Sequence, residues 1–181
     1  MEKVKYIVAS DIHGSFHYAE ILKERFMFEN ADKMILLGDL YYHGPRNDLP
    51  KDYCPMKVCE LLNGIKDKLT VIQGNCDSEI DKTISDFEFM SFFETTISGK
   101  RFFFSHGDKF NIENYPKNSF DVMFYGHFHK GMIKNENQKI FVNTGSVSIP
   151  KDNSTNSYAI ITEKEIILKN LNGEIIEKVE F

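Results

Sequence analysis

The histidines of this chain concentrate in a series of five short clusters that sets imidazole beside carboxylate, amide or thiol groups. They are Asp11-Ile12-His13, Gly38-Asp39, Gly74-Asn75-Cys76-Asp77, Ser105-His106-Gly107 and Gly126-His127-Phe128-His129, and they contain four of the six histidines. Imidazole with carboxylate suits Mn, Fe, Ni, Co or Zn rather than Ca or Mg. Ligands two apart on an extended chain end can both turn toward one ion. A single D-x-H or H-x-H is weak, since the plain reading of one such histidine is an exposed or hydrogen-bonded ring. The weight lies in the series, because every cluster directly follows an apolar, strand-like run and most carry an adjacent glycine.

A sheet would deliver all five clusters to one edge, where loop ends converge. Tyr6 to Ala9, Met34 to Leu37 and Leu69 to Ile72 read as buried strands. The stretches His17 to Phe28 and Met56 to Leu62 carry helix formers with apolar residues at helical spacing, so the first half reads as a parallel α/β sheet. After about residue 90 the segments Phe92 to Ile97, Arg101 to Phe104, Val122 to Tyr125, Ile140 to Val142, Tyr158 to Thr162 and Glu165 to Leu168 have little helical pattern between them. With turn signals at Ser98-Gly99-Lys100 and Leu171-Asn172-Gly173, this half reads as largely antiparallel hairpins. The segment Tyr41 to Tyr53, with Gly44-Pro45 and Pro50, reads as a loop. It starts two residues after Asp39, which makes it either a wall of a site or a surface loop with no role.

At 181 residues, 41% hydrophobic and 27% charged, the chain has the composition of one globular domain, 1–181, rather than of a disordered segment. The net charge of -5 provides no basic field for phosphate backbones, which argues against nucleic-acid binding. An anionic substrate would need a local positive source, and metal ions can supply one. Cys54, Cys59 and Cys76 form no C-x-x-C pair, so a reducing cytoplasm is expected rather than a disulfide framework. The start, Met1 to Lys5 leading into Tyr6 to Ala9, is too short for a signal core or a membrane span, so no targeting segment or membrane association is expected.

In order, the five clusters resemble the motif run of the calcineurin-type metallophosphoesterases: D-x-H, G-D, G-N-H-[DE], a histidine before glycine, and G-H-x-H. The chain is more similar still to the bacterial YfcE-type phosphodiesterases. It shares with them Ser10 to Ser15, the loop His43-Gly44-Pro45-Arg46-Asn47, Gly74 to Ser78, and the stretch from Asn143 to Pro150. The resemblance implies an α/β fold of two packed mixed β-sheets flanked by helices, a four-layer sandwich. It implies Asp11, His13, Asp39 and His129 around a first metal, and Asp39, Asn75, His106 and His127 around a second, with Asp39 bridging. Manganese is the first choice for both ions by family likeness, with Ni, Co, Fe or Zn as the others. A homo-oligomer, dimer or tetramer, is implied as well.

By the same resemblance the activity is hydrolysis of a small phosphate ester through attack of a hydroxide bridging the two metals, which polarise the phosphoryl oxygens. Asn75 and His127 then serve catalysis as well as metal binding, and Asn75 also faces the substrate. Two divalent ions set against two aspartates and one hydroxide leave about plus one, which a monoanionic diester neutralises and a dianionic monoester overshoots. That tilts the expectation toward phosphodiesters.

The chain departs from the broad family at Cys76, where many members place the histidine that protonates the leaving oxygen, although the YfcE-type group shares the cysteine. Cys76 is either a poor proton donor or an inert lining residue, and His43 or a metal-bound water is the alternative donor. Arg46 and His43 could contact the phosphate; Arg46 could equally cap carbonyls or pair with Asp48. Asp77 and Asp108 could orient ligand histidines or simply be solvated. Phe102 to Phe104 and Phe92-Phe93 read as core strands, and His17 as a surface residue. Two rivals stand beside the diesterase: a binding scaffold of the retromer type, which keeps the fold with lost or altered ligands, and a phosphomonoesterase. All seven ligand positions here carry competent residues, which favours catalysis.

Overall fold

The structure is a computed structural model that describes residues 4–117 and 119–181; Met1 to Lys3, part of the N-terminal run read above, lie outside it. In the first half, β1 (Tyr6–Ala9), β2 (Lys33–Leu36), β3 (Leu69–Ile72) and β4 (Phe89–Met90) pair in parallel in that order. Between them lie α1 (Phe16–Phe28), α2 (Pro55–Asn63) and α3 (Glu79–Ile84). Ser15 caps α1 by accepting the Tyr18 N–H, and Pro55 opens α2 at a position where a missing N–H costs nothing. The six-residue α3 is too short to show a period in sequence. It is fixed instead by Asp81, whose carboxylate accepts the Ser78 N–H at 2.6 Å and the Ser78 hydroxyl at 2.9 Å.

The C-terminal strands β10 (Ser157–Ile161), β11 (Glu165–Asn170) and β12 (Ile175–Glu180) complete the first sheet antiparallel, in the order β12-β11-β10-β1-β2-β3-β4. The second sheet has the order β5-β6-β7-β9-β8, from β5 (Phe93–Ile97), β6 (Lys100–Phe104), β7 (Val122–Tyr125), β8 (Gly131–Glu136) and β9 (Lys139–Thr144). The hairpins read at Ser98-Gly99 and Leu171 to Gly173 are present, Ser98 and Gly99 both having the positive φ that a two-residue turn of this kind needs.

The reading of the second half as largely antiparallel is corrected in its centre: β6, β7 and β9 run parallel to one another. Parallel neighbours need a long crossover, and here it is the segment from Ser105 to Asp121, which is irregular where it is described. A helix-free crossover leaves no periodic trace, so these strands read as hairpins by default. The direction matters, because only parallel β6 and β7 send His106 and His127 out of the same edge.

Alternation along the strands builds the layers. Val8, Ile35, Phe102, Phe104, Phe124 and Val142 interdigitate between the sheets. Ile7, Met34, Leu36 and Ile160 face α1 and α2. On the far side of the second sheet, Phe103, Met123, Tyr125 and Phe141 are covered by Phe110, Ile112 and Phe120 of the crossover, so loop rather than helix forms that outer layer among the described residues. The aromatic run 102–104 is buried core, as read; Phe92 is partly exposed and stacks on Phe103.

Candidate metal centre

Each of the five clusters sits where its strand leaves the sheet: Asp11 and His13 after β1, Asp39 after β2, Asn75 after β3, His106 after β6, and His127 and His129 after β7. The backbone there turns sharply. Asp11, His13, Asp39, His127 and His129 all have positive φ, between 49° and 66°. For a residue with a Cβ this costs about 1–2 kcal/mol, and such strain collects at functional sites. The neighbouring glycines are there for space. A Cβ on Gly74 would collide with the Asp39 carboxylate, and one on Gly126 with Ser10 Oγ and the Asp11 carboxylate.

The candidate ligand atoms converge. Asp11 Oδ1 lies 3.2 Å from His129 Nε2 and 3.5 Å from His13 Nε2, and the two Nε2 atoms are 3.1 Å apart. Asp39 Oδ2 lies 3.7 Å from His13 Nε2 on one side and 3.5 Å from His106 Nε2 on the other, the position of a bridge between two groups. His106 Nε2 is 3.0 Å from Asn75 Oδ1 and 3.3 Å from His127 Nδ1. Metal bonds of about 2.1 Å separate neighbouring ligands by about 3.0 Å in octahedral and about 3.4 Å in tetrahedral geometry, which is the spacing seen.

Which nitrogen faces inward is set by backbone carbonyls. His13 Nδ1 donates to Tyr42 O at 2.7 Å, His106 Nδ1 to Leu37 O at 2.8 Å and His129 Nδ1 to Ile149 O at 2.7 Å. With Nδ1 engaged in this way, His13 and His129 turn Nε2 toward each other and toward Asp11 Oδ1, a buried oxygen with no hydrogen-bond partner among the described residues. Acceptors facing acceptors in a buried pocket call for a cation, so the residues fit a metal pair. Asp11, His13 and His129, and likewise Asp11, Asp39 and His106, have ligand atoms all within 4.8 Å of one another.

Protons answer the same field in the metal-free protein. Burial lowers the tendency of His106 to charge, but the hydrogen bond to Asp39 and the charge of Asp11 outweigh it and push the imidazole up to about 9. Burial raises Asp11 and Asp39, yet the surrounding histidines hold both carboxyls below the usual range. Burial and neighbouring His106 lower His127, keeping it neutral and available as a donor of electrons.

Asp77 does not orient a histidine. Its buried carboxylate accepts the N–H groups of Asp39 at 2.8 Å, Leu40 at 2.8 Å and Gly74 at 2.7 Å, tying the loop of Asp39 to that of Asn75. Asp108 is exposed, and His17 is half-buried against Tyr18. Cys76 lines the cleft over the ligands, 3.3 Å from Asn75 Nδ2; burial first and Asp39 next push its thiol up to about 12. Arg46 lines the same cleft, exposed, and makes no hydrogen bond or ion pair among the described residues, Asp48 included. His43 packs edge-on to Tyr42 and Tyr53 at the base of that loop, and its buried Nδ1 has no hydrogen-bond partner among the described residues.

Two contributions were not legible as such. Lys151 lines the cleft together with Arg46. The stretch from Asn143 to Pro150, quoted above only for its likeness, leaves the parallel strand β9 and braces the site: Asn143 Nδ2 donates to Gly126 O, while the Ser146 and Ser148 hydroxyls donate to Asp11 O. Its position after an apolar strand beside the other exits was the available signal.

A family description, the calcineurin-like phosphoesterase superfamily domain, matches residues 4–165. Phosphodiesterase YfcE of Escherichia coli strain K12 is 38% identical over 175 residues, 96% of this chain and 95% of that protein. The solved structure of YfcE, described as a phosphoesterase from E. coli, superposes with a TM-score of 0.94 at 36% identity, covering 98% of this chain and 99% of that one. Wild-type Vps29 from Entamoeba histolytica, solved in complex with zinc, shares the fold at a TM-score of 0.66 and 18% identity, covering 98% and 99% of the two chains.

Proposed function

The chain belongs to the calcineurin-like phosphoesterase superfamily, and from that premise we propose that it is a dinuclear metal-dependent phosphodiesterase acting on small phosphate esters. The observation that carries this reading is the inward convergence of His13 Nε2, His129 Nε2 and Asp11 Oδ1, with Asp39 Oδ2 shared toward His106. Asp11, His13, Asp39 and His129 hold the first ion; Asp39, Asn75, His106 and His127 hold the second. When bound, a pair of divalent ions lowers the pKa of water and polarises phosphoryl oxygens. Manganese is our choice of metal, on the family's likeness and an imidazole-carboxylate-amide donor set.

The chain's own residues do the rest. The three carbonyl acceptors at Tyr42, Leu37 and Ile149 fix the ring orientations before any ligand arrives. Asp77 and the Ser146 and Ser148 hydroxyls hold the backbone of Asp39 and Asp11. Arg46 and Lys151 face the cleft from the Gly44–Asn47 loop and from the segment after Pro150, placed to receive phosphate oxygens; Asn75 Nδ2 is a third donor. Cys76 stays a neutral thiol, which fits a lining role better than proton delivery and suits leaving groups that need little protonation. His43 lies beside the cleft as the other side-chain donor.

No helix among the described residues is long and apolar enough to cross a membrane. The three free thiols support a cytoplasmic setting. The core shared between both sheets supports one domain over 1–181. A dimer or tetramer is the oligomer we expect, to be read by sedimentation.

Metal content by itself does not separate an enzyme from a scaffold that keeps the fold. The deciding experiment measures bound metal together with hydrolysis of bis(4-nitrophenyl) phosphate and 4-nitrophenyl phosphate, with chelator and with manganese. About two ions per chain and manganese-dependent turnover favouring the diester are expected. Equal or faster monoester turnover overturns the diester preference; full metal occupancy without turnover of either ester makes the protein a scaffold.

A further inference from the structure

A second, polar pocket of about 230 Å³, lined in part by Asn75 and His106, shares Asn75 with the Arg46 cleft. Its walls are Gln73 at the exit of β3, Ser91 at the exit of β4, and Asp108, Lys109 and Phe110 after β6. It therefore opens between the two sheets along the edge that carries the metal ligands. Asn75 belongs to both spaces, so a phosphate held at the ligand cluster borders both.

A phosphodiester has two ester arms on one phosphorus. With the phosphate at the ligand cluster, the arms must leave in different directions, and two spaces meeting at Asn75 provide for both. We propose that the pocket between Ser91 and Lys109 receives one arm of the diester and that this arm is a hydroxyl-rich alcohol, a small polyol or a sugar. The inference rests on the phosphodiesterase reading and extends it to the class of substrate.

The lining sets the class. Ser91 offers a hydroxyl, Lys109 an ammonium, Asp108 a carboxylate and Gln73 a side-chain carbonyl, and none of these groups has a hydrogen-bond partner among the described residues. Mixed donors and acceptors around one space match a molecule whose own groups are both, which a hydroxyl is and an alkyl chain is not. Phe110 supplies a single apolar surface for the carbon side of such a molecule. At about 30 Å³ of liquid volume per water, the space of about 230 Å³ corresponds to roughly eight waters, enough for a short polyol or a pentose and too little for a long acyl chain. Ser91, Asp108 and Lys109 are exposed and served by water; an alkyl arm displaces that water without replacing its hydrogen bonds, whereas hydroxyls replace them.

The test uses two chromogenic diesters with the same 4-nitrophenyl leaving group, one with glycerol and one with methyl as the remaining arm. It compares the manganese-loaded wild type with Ser91→Phe, which fills the pocket from an exposed position, and with Lys109→Ala. The readout is the ratio of kcat/KM for the glycerol ester to that for the methyl ester, which a general loss of folding or metal does not change. We expect a ratio of about ten or more in the wild type, falling to within about two in Ser91→Phe and by several-fold in Lys109→Ala. A wild-type ratio near one, or a ratio that Ser91→Phe leaves intact, overturns the pocket's role while the phosphodiesterase reading stands. No turnover of either ester overturns both.

Discussion

Asp77 makes the sharpest quantitative demand on the structure. Its carboxylate is buried and accepts three backbone N–H groups, two of which belong to the turn of the bridging residue Asp39 and its neighbour Leu40. Asp77→Ala strands three buried donors, and each costs about 2 kcal/mol within a range of 1–3. Against this stands the cost of keeping the carboxylate charged. Burial, helped by the nearby Asp39, pushes Asp77 from 3.8 up to about 6 even though the three donors pull the other way, so the carboxylate's own burial offsets a large part of that loss. Taking the offset as about half, the net destabilisation is about 3 kcal/mol, or roughly 6–12 °C in Tm for a domain of this size. Asp77→Asn keeps one carbonyl oxygen for two of the donors and is neutral, so it should lie between wild type and Ala. Circular-dichroism melts at pH 8 with chelator measure this directly. Manganese affinity should fall about 10–100-fold in the Ala variant, because the bridging residue's backbone loses its anchor. An Ala variant that melts within about 2 °C of wild type and binds manganese equally well would refute the clamp.

Three further outcomes follow from the site. In the metal-free protein His106 is raised above its unfolded value of about 6.5 to about 9. The stability this contributes is therefore full below pH 6.5 and is lost as pH rises through 9; with a bound cation in the proton's place, the gain in Tm on adding manganese should grow over that window, and a constant gain would contradict it. Arg46→Ala removes an unpaired cleft cation, so KM for the diester should rise about tenfold with an unchanged melting temperature; a fall in Tm with KM intact would instead make Arg46 structural. Cys76→Ser should keep both metals and most of the turnover, since the neutral thiol already contributes little as an acid; near-complete loss of kcat with metals retained would assign it the proton.

Much of the site could be read in advance because metal chemistry restricts residue types and because strand exits are marked by an apolar run stopping at a glycine or a polar residue. All seven ligand candidates fall at such exits, and the structure brings them within a few ångströms. The strands β1, β2 and β3 were legible for the same reason, their burial on both faces leaving continuous apolar runs. The helix α3, the short strand β4 and the edge strands β8 and β12 left too little pattern, since six residues or fewer with few or no buried apolar side chains carry no periodic signal.

The sequence by itself determined which atoms could grip a metal and that loops after strands would carry them. The tertiary structure alone decided that β6, β7 and β9 run parallel, which points His106, His127 and the Asn143–Pro150 brace to one edge. It also decided which ring nitrogen faces inward, through carbonyls at Leu37, Tyr42 and Ile149 that any residue type could have supplied. Backbone groups have no identity in a sequence, so what they hold becomes visible only once distant segments are packed together.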